Sequence, residues 1–171
     1  MRRLLAGLLL VGACSSAPGR GPASASGAAG SSGLKPNATV VSVTDGDTIT
    51  VRIGNTKEKV RLLGIDTPET KKPNTPVQCF GPEATEYTTS LLPVGTALHL
   101  ERDLEARDKY GRLLAYVYRS TDGMFVNLQI IRHGYARLLT FQPNVAHADD
   151  FTSAAAAARH DHIGLWATCS G

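Results

Sequence analysis

The sequence is short of most features that would announce a function class. No apolar run approaches the roughly 18–20 residues needed to cross a bilayer as a helix, which excludes an ordinary membrane-spanning helix. No pattern repeats at a period of 20–50 residues, so a solenoid or propeller is excluded. P-loop, His-Glu-x-x-His and Gly-x-Ser-x-Gly motifs are missing, which argues against the common NTPases, zinc proteases and α/β-hydrolases. Charge of one sign is also scarce. Lys and Arg number 18 against 15 Asp and Glu, and three of the basic residues are Arg2, Arg3 and Arg20, all near the start. The remainder carries 15 of each sign, so the pI of about 8.9 says nothing about nucleic acid. Aromatic residues are few (6%), yet 42% hydrophobic and 19% charged residues describe a globular chain rather than a disordered or collagenous one. At 171 residues the chain suits one domain.

What is present begins with an address. Met1-Arg2-Arg3 is followed by ten residues, Leu4 to Ala13, that are all apolar or Gly. A basic start, a short apolar run and small residues at its end predict a secretory signal peptide over 1–13. Val11-Gly12-Ala13-Cys14 resembles the lipobox of bacterial lipoproteins, in which the Cys becomes the lipidated first residue. The alternative is a plain signal peptide with an incidental Cys14. The protein is thus expected to be exported, lipid-anchored through Cys14 on the outer face of the cell membrane, or secreted if Cys14 carries no lipid. Residues 15–33 hold six Ser, five Ala, five Gly, two Pro and one Arg. Such a stretch cannot bury enough apolar area to fold, so 14–34 reads as anchor and tether, with a reach of about 25 Å. The folded domain is then 35–171.

Only three Cys occur. With Cys14 assigned to lipid, Cys79 and Cys169 remain as an even pair in an exported protein, which reads as a disulfide contributing about 4–5 kcal/mol. Neither sits in a nucleophile pattern.

Within the domain, strands are predicted over Thr39–Thr44, Asp47–Ile53, Lys59–Ile65, Thr96–Glu101 and Leu113–Tyr118. In the second, Ile49, Val51 and Ile53 alternate with Thr48, Thr50 and Arg52. Helices are predicted over about 82–92, with Pro82 at a first-turn position, over Met124–His133 stopping at Gly134, and over Asp149–His160. Strands in three-then-two order, a helix between the groups and helices at the end predict an α+β, mainly β fold: a five-stranded OB-type Greek-key barrel with about three helices. A β-sandwich leaves no room for three helices.

Three clusters carry candidate chemistry. Asp45-Gly46-Asp47-Thr48 offers hard oxygen ligands to Ca²⁺ or Mg²⁺, or is simply a hairpin turn. It is no EF-hand, because Ile49 stands at the fifth position from Asp45. Arg61-Leu62-Leu63-Gly64-Ile65-Asp66-Thr67-Pro68-Glu69-Thr70 places an Arg and two acids at a strand end. Its bland reading is a strand running into a helix capped by Thr67. Arg61 and Asp66 are five apart and would face opposite sides of a regular strand, so a joint site requires an irregularity, for which Gly64 is the natural place. The third cluster, Asp108-Lys109-Tyr110-Gly111-Arg112, is either a solvated turn or a second guanidinium aimed at a polyanion, with Tyr110 beside it. His160 and His162 sit two apart on a helix and face different ways, against a metal role. His147 with Asp149 and Asp150 reads as a helix start, and Trp166 as a packing residue near the chain end.

These three segments, with Gly81-Pro82-Glu83-Ala84 and the Leu114-Ala115-Tyr116 that follows Arg112, occur in an order and spacing that resembles the staphylococcal (micrococcal) nuclease, or thermonuclease, family. The likeness runs from about Ala38 to Trp166. It implies an OB-barrel, Ca²⁺-dependent endonuclease acting on DNA and RNA with little sequence specificity, with 3′-phosphate products, as a monomer. By matching position it implies that Asp47 and Asp66 ligate Ca²⁺, with the Thr67 carbonyl completing the protein ligands and Asp45 nearby. Arg61 and Arg112 would hold the scissile phosphate, and Glu69 would act on the attacking water. Lys109 and Tyr110 would contact the nucleotide. One departure stands out: where the family carries a pair of Tyr, this chain has Thr140 and Phe141, of which Phe141 keeps a ring able to stack on a base. The rival expectation is a catalytically silent OB module that binds nucleic acid or a partner at the cell surface. Such modules have usually lost site residues, whereas Arg61, Glu69, Arg112 and both acids are all present.

Overall fold

The structure is a computed structural model that describes residues 33–71 and 76–169. The predicted signal peptide, Cys14 and nearly all of the predicted tether lie outside the described residues. Among those described, no helix is long and apolar enough to cross a membrane.

Three strands follow one another, β1 (Ala38–Asp45), β2 (Thr48–Ile53) and β3 (Thr56–Leu62), each antiparallel to the last. A short β4 (Gly64–Asp66) leads to a loop and then helix α1 (Gly81–Leu91). Next come β5 (Ala97–Glu101), β6 (Leu113–Arg119) and the two-residue β7 (Met124–Phe125), running straight into helix α2 (Val126–Arg132). The chain ends with β8 (Arg137–Leu139), helix α3 (Ala148–His160) and the single turn α4 (Leu165–Thr168). Strand β5 pairs with β1 and with β6, and β6 closes on β3 in parallel, through Val60–Leu113, Arg61–Leu114 and Leu62–Ala115. The five long strands therefore form a closed barrel, the OB-type architecture expected, with three helices of seven residues or more.

Closure buries one side of each strand. Val40, Ile49, Val51, Val60, Leu62, Leu98, Leu114 and Val117 fill the core, and Val126, Ile130, Ile131 and Phe151 bring α2 and α3 against it. Ile53, expected inward with Ile49 and Val51, is exposed because β2 ends in the Gly54 turn there.

The predicted strand Lys59–Ile65 is in fact two elements. Gly64 turns at φ +82°, and a side chain there would meet the Phe151 ring at 2.2 Å. The break aims β4 away from the barrel to pair with β8. The predicted helix from Met124 starts two residues late, since Phe125 and Met124 pair with Tyr118 and Arg119 on β6. No helix begins at Thr67; residues 67–71 form a loop. Cys79 and Cys169 are joined in a disulfide.

Candidate active site

The β1–β2 turn, the β3–β4 break with its following loop, and the loop ahead of β6 converge at one end of the barrel. Together they line a cavity of about 370 Å³ bounded by Asp45, Asp47, Thr48, Arg61, Asp66, Thr67, Glu69, Gln78, Arg112, Leu139 and Phe141.

Arg61 is its structural centre. The side chain is 5% exposed, an environment that demands full pairing. Its Nη1 donates to the carbonyls of Leu62 (2.6 Å) and Ile65 (2.7 Å), which the break at Gly64 folds around the guanidinium. Its Nη2 lies 3.1 Å from Asp47 Oδ2 and 3.0 Å from Asp66 Oδ1. The irregularity that the five-residue spacing required is thus present, and Arg61 and Asp66 meet. Buried Asn127 on α2 braces the break: its amide donates to the carbonyls of Leu63 and Ala115, and its oxygen accepts from Val117 N–H. Nothing in the sequence reading singled out Asn127, although an Asn among the apolar residues of a predicted core helix is a usable signal.

Asp47 is nearly buried and accepts hydrogen bonds from Thr48 Oγ1 and Thr67 N–H. The turn carrying it is fixed by Thr88 of α1, whose hydroxyl donates to the Gly46 carbonyl at 2.7 Å. Gly46 packs so closely on Thr67 that a Cβ would sit 2.7 Å from its methyl. The Asp45–Thr48 segment is therefore both a hairpin turn and a wall of the cavity. Burial pushes the Asp45 carboxyl up to about 6, helped by the facing Asp47 carboxylate. Asp66 is also raised, first by desolvation and then by Asp47, with Arg61 pulling the other way.

Arg112 enters from the far loop. Asp108 accepts the N–H groups of Tyr110 and Arg112 on one oxygen and Arg112 Nε on the other at 2.7 Å. Desolvation works against this carboxylate, but the bonds from Arg112 and Tyr110 outweigh it and hold its pKa low. Arg112 Nη1 reaches towards Thr48 Oγ1 at 3.5 Å. Lys109 and Tyr110 do not line the cavity; Tyr110 is exposed, with Arg112 5.5 Å and Lys109 5.1 Å from its ring centre. Phe141 does line it, its ring centre 5.3 Å from the Arg61 guanidinium. Gln78, not anticipated, also lines the cavity and accepts the Glu69 N–H at 2.9 Å.

Four carboxylates and two guanidinia face the cavity, a formal excess of two negative charges. Among the described residues, no three His, Cys, Asp or Glu side chains are gathered as a metal cluster. The oxygen-only donor set and its formal excess of acidic groups nonetheless fit a hard divalent cation better than a soft one. His160 and His162 are exposed. Trp166 is only partly buried, with the Arg137 and Arg159 guanidinia 5.5 and 5.6 Å from its ring centre.

Comparison with known proteins agrees with this geometry. The chain matches the model of the family described as staphylococcal nuclease homologue over residues 59–168. It belongs to the staphylococcal nuclease family. Among its relatives, Endonuclease YncB of Bacillus subtilis (strain 168) is 42% identical over 132 residues, covering 76% of this chain and 61% of that protein. The Thermonuclease of Staphylococcus intermedius is 42% identical over 124 residues, 72% of each chain. That of Staphylococcus hyicus is 39% identical over 127 residues, covering 74% of this chain and 73% of its own. The chain thus spans less than two thirds of the Bacillus endonuclease. In this staphylococcal nuclease family member, all the acidic and basic residues singled out at the three clusters, apart from Lys109 and the buttressing Asp108, face one cavity.

Proposed function

We propose that the protein is a Ca²⁺-dependent endonuclease that hydrolyses phosphodiester bonds of DNA and RNA with little sequence specificity. The observation that carries this reading is the charge pattern of the cavity. Two guanidinia approach it, yet four carboxylates leave it two charges negative. A polyanion would be repelled from such a cleft unless a divalent cation entered with it. Asp47, Asp66 and the Thr67 carbonyl would hold that ion, with Asp45 behind them. When bound, Ca²⁺ would supply positive charge where negative charge develops on the phosphoryl oxygens.

The chain's own groups supply the rest. Arg112 lines the cavity as a forked donor for the phosphoryl oxygens, and Arg61 would join it by turning its Nη2 from Asp47 and Asp66 as those acids take up the ion. The charge of both grows more valuable as the phosphorus becomes pentacoordinate. Lys would offer a point charge in place of the fork. Glu69 lines the same cavity and would orient a water and accept its proton. Lys109 and Tyr110, packed beside Arg112, would contact the neighbouring nucleotide; Phe141 offers a face for a base. Hydrolysis that leaves the phosphate on the 3′ side completes the reading, with the protein working as an exported monomer tethered through Cys14.

Digestion of plasmid DNA and of RNA by the purified protein tests it, with millimolar Ca²⁺ or with a Ca²⁺ chelator. Cleavage with Ca²⁺ alone is expected, and Glu69→Gln or Arg112→Ala should lower kcat by about 10²–10³. Fragments should accept a 5′-phosphate from a polynucleotide kinase without prior phosphatase treatment. Cleavage undiminished by the chelator rejects the proposal, and a folded protein that binds DNA without cutting it supports the silent module instead.

A further inference from the structure

Glu69 belongs to no helix or strand, and something must hold it. Its carboxylate Oε1 accepts the N–H groups of Thr70 (2.9 Å) and Lys71 (2.8 Å), folding the side chain back over its own loop. Its backbone pairs with Gln78. Glu69 N–H donates to Gln78 Oε1 at 2.9 Å, and Gln78 N–H donates to the Glu69 carbonyl, also at 2.9 Å. The two residues form a closed, reciprocal pair nine positions apart.

Gln78 is itself exposed, and Val77 beside it is 59% exposed, so little apolar contact keeps this stretch in place. The next residue is Cys79, bonded to Cys169 across 90 positions. Cys169 is firmly seated. Its N–H donates to the Leu165 carbonyl, Leu165 is 1% exposed in the core, and Leu165 N–H donates to the Gly134 carbonyl at 2.9 Å. Gly134 and Gly164 cross so closely that a Cβ on either would stand 2.2–2.4 Å from the other segment's backbone. The turn over 165–169 is thereby fastened one residue away from Gln78, which pairs with Glu69.

We propose that Gln78 is a positioning residue for Glu69, and that the Cys79–Cys169 bond sets Gln78 in place, so that full activity requires the oxidised pair. The proposal rests on the nuclease reading for its effect on rate, but not for its effect on the Glu69 loop. Oxidation proceeds by thiol–disulfide exchange with a disulfide oxidant. Cys79 and Cys169 lose two electrons and two protons, the S–S bond forms, and the oxidant leaves as its dithiol. Before that step the loop has lost its fastening, and the enzyme is slow; a dithiol reductant reverses the change, since Cys79 is exposed.

The test compares the full chain with Gln78→Met, Gln78→Glu, Cys79→Ser/Cys169→Ser and the combination of Gln78→Met with the serine pair. Conditions are chosen where urea titration shows all of them folded. Gln78→Met removes the acceptor at nearly constant size and should lower kcat about tenfold, with KM for DNA changed less than twofold. Gln78→Glu restores an acceptor oxygen and should recover most of that loss. The serine pair should fall about as far as Gln78→Met, and combining them should add little, because both act through one amide. Amide hydrogen exchange at Glu69 should accelerate in Gln78→Met and in the serine pair, but not in Gln78→Glu. Losses in kcat that multiply, or a serine pair whose Glu69 amide exchanges as slowly as the parent's, overturn the proposal. Should the parent cut no nucleic acid, the nuclease reading falls, and the exchange measurement still decides the positioning claim.

Discussion

Arg61 and Arg112 show why one residue type at two positions has two different costs. Arg61 is buried against two acids and two carbonyls, whereas Arg112 is 26% exposed and leans mainly on Asp108. Removing one partner of a buried ion pair typically costs about 3–5 kcal/mol, and a pair with one partner open to solvent costs less, because water screens the charge left behind. Arg61→Ala should therefore lower the urea midpoint strongly, since Asp47 and Asp66 would be left crowding each other. Arg112→Ala should lower the midpoint less, since Asp108 keeps its two backbone N–H donors, while lowering activity. Equal midpoints for the two variants would show that Arg61 is not the structural centre of the site. The difference was hidden at the level of sequence, where both are Arg residues in mixed-charge segments. Their candidacy was legible from neighbouring acids, but the burial of Arg61 depends on the break at Gly64, which folds the Leu62 and Ile65 carbonyls around it. Gln78 was hidden for a related reason: its partner Glu69 is nine residues away, across a loop with no periodicity to read.

Among the elements, the long strands and the three principal helices were legible because period-two and helical patterns, with Gly and Pro punctuation, report local burial. The short elements were not. Strand β8 has three residues, of which two are exposed, and owes its existence to β4 alone. Strand β4 in turn exists because Gly64 bends the chain, and Asn127 on α2 holds that bend through Leu63. Asn127→Leu would fill the space but strand Val117 N–H and the Leu63 carbonyl in the interior, while the Ala115 carbonyl would keep the Leu63 N–H. Unsatisfied buried groups cost about 1–3 kcal/mol each, so a loss of about 2 kcal/mol or more is expected in urea denaturation. Because the same bond steadies the segment between Arg61 and Asp66, kcat should fall with it, although Asn127 touches neither side chain. A variant as stable and as active as the parent would remove Asn127 from the account.

At the scale of the whole molecule, three segments up to about sixty positions apart meet at one end of a barrel, and that is why their order and spacing carried a family resemblance that none carried alone. Charge follows a different logic. Beyond the first twenty residues the chain has 15 basic and 15 acidic side chains, so no broad positive field draws nucleic acid to it. On the proposed nuclease reading, attraction must then come from a few local contacts: Arg61 and Arg112 in the cavity, and Lys109 against the Tyr110 ring that Arg112 also meets. Each neutralised phosphate of a single strand contributes a slope of about −0.7 in log affinity against log salt concentration. Two or three contacts therefore predict a slope between about −1.4 and −2.1. Between 50 and 200 mM NaCl, at constant Ca²⁺, KM for single-stranded DNA should rise roughly tenfold. Lys109→Ala should flatten the slope by about 0.7 without touching kcat. A slope steeper than about −4 would mean that the strand follows further basic residues outside the cavity, with the exposed Arg137 and Arg159 beside Trp166 the first to replace.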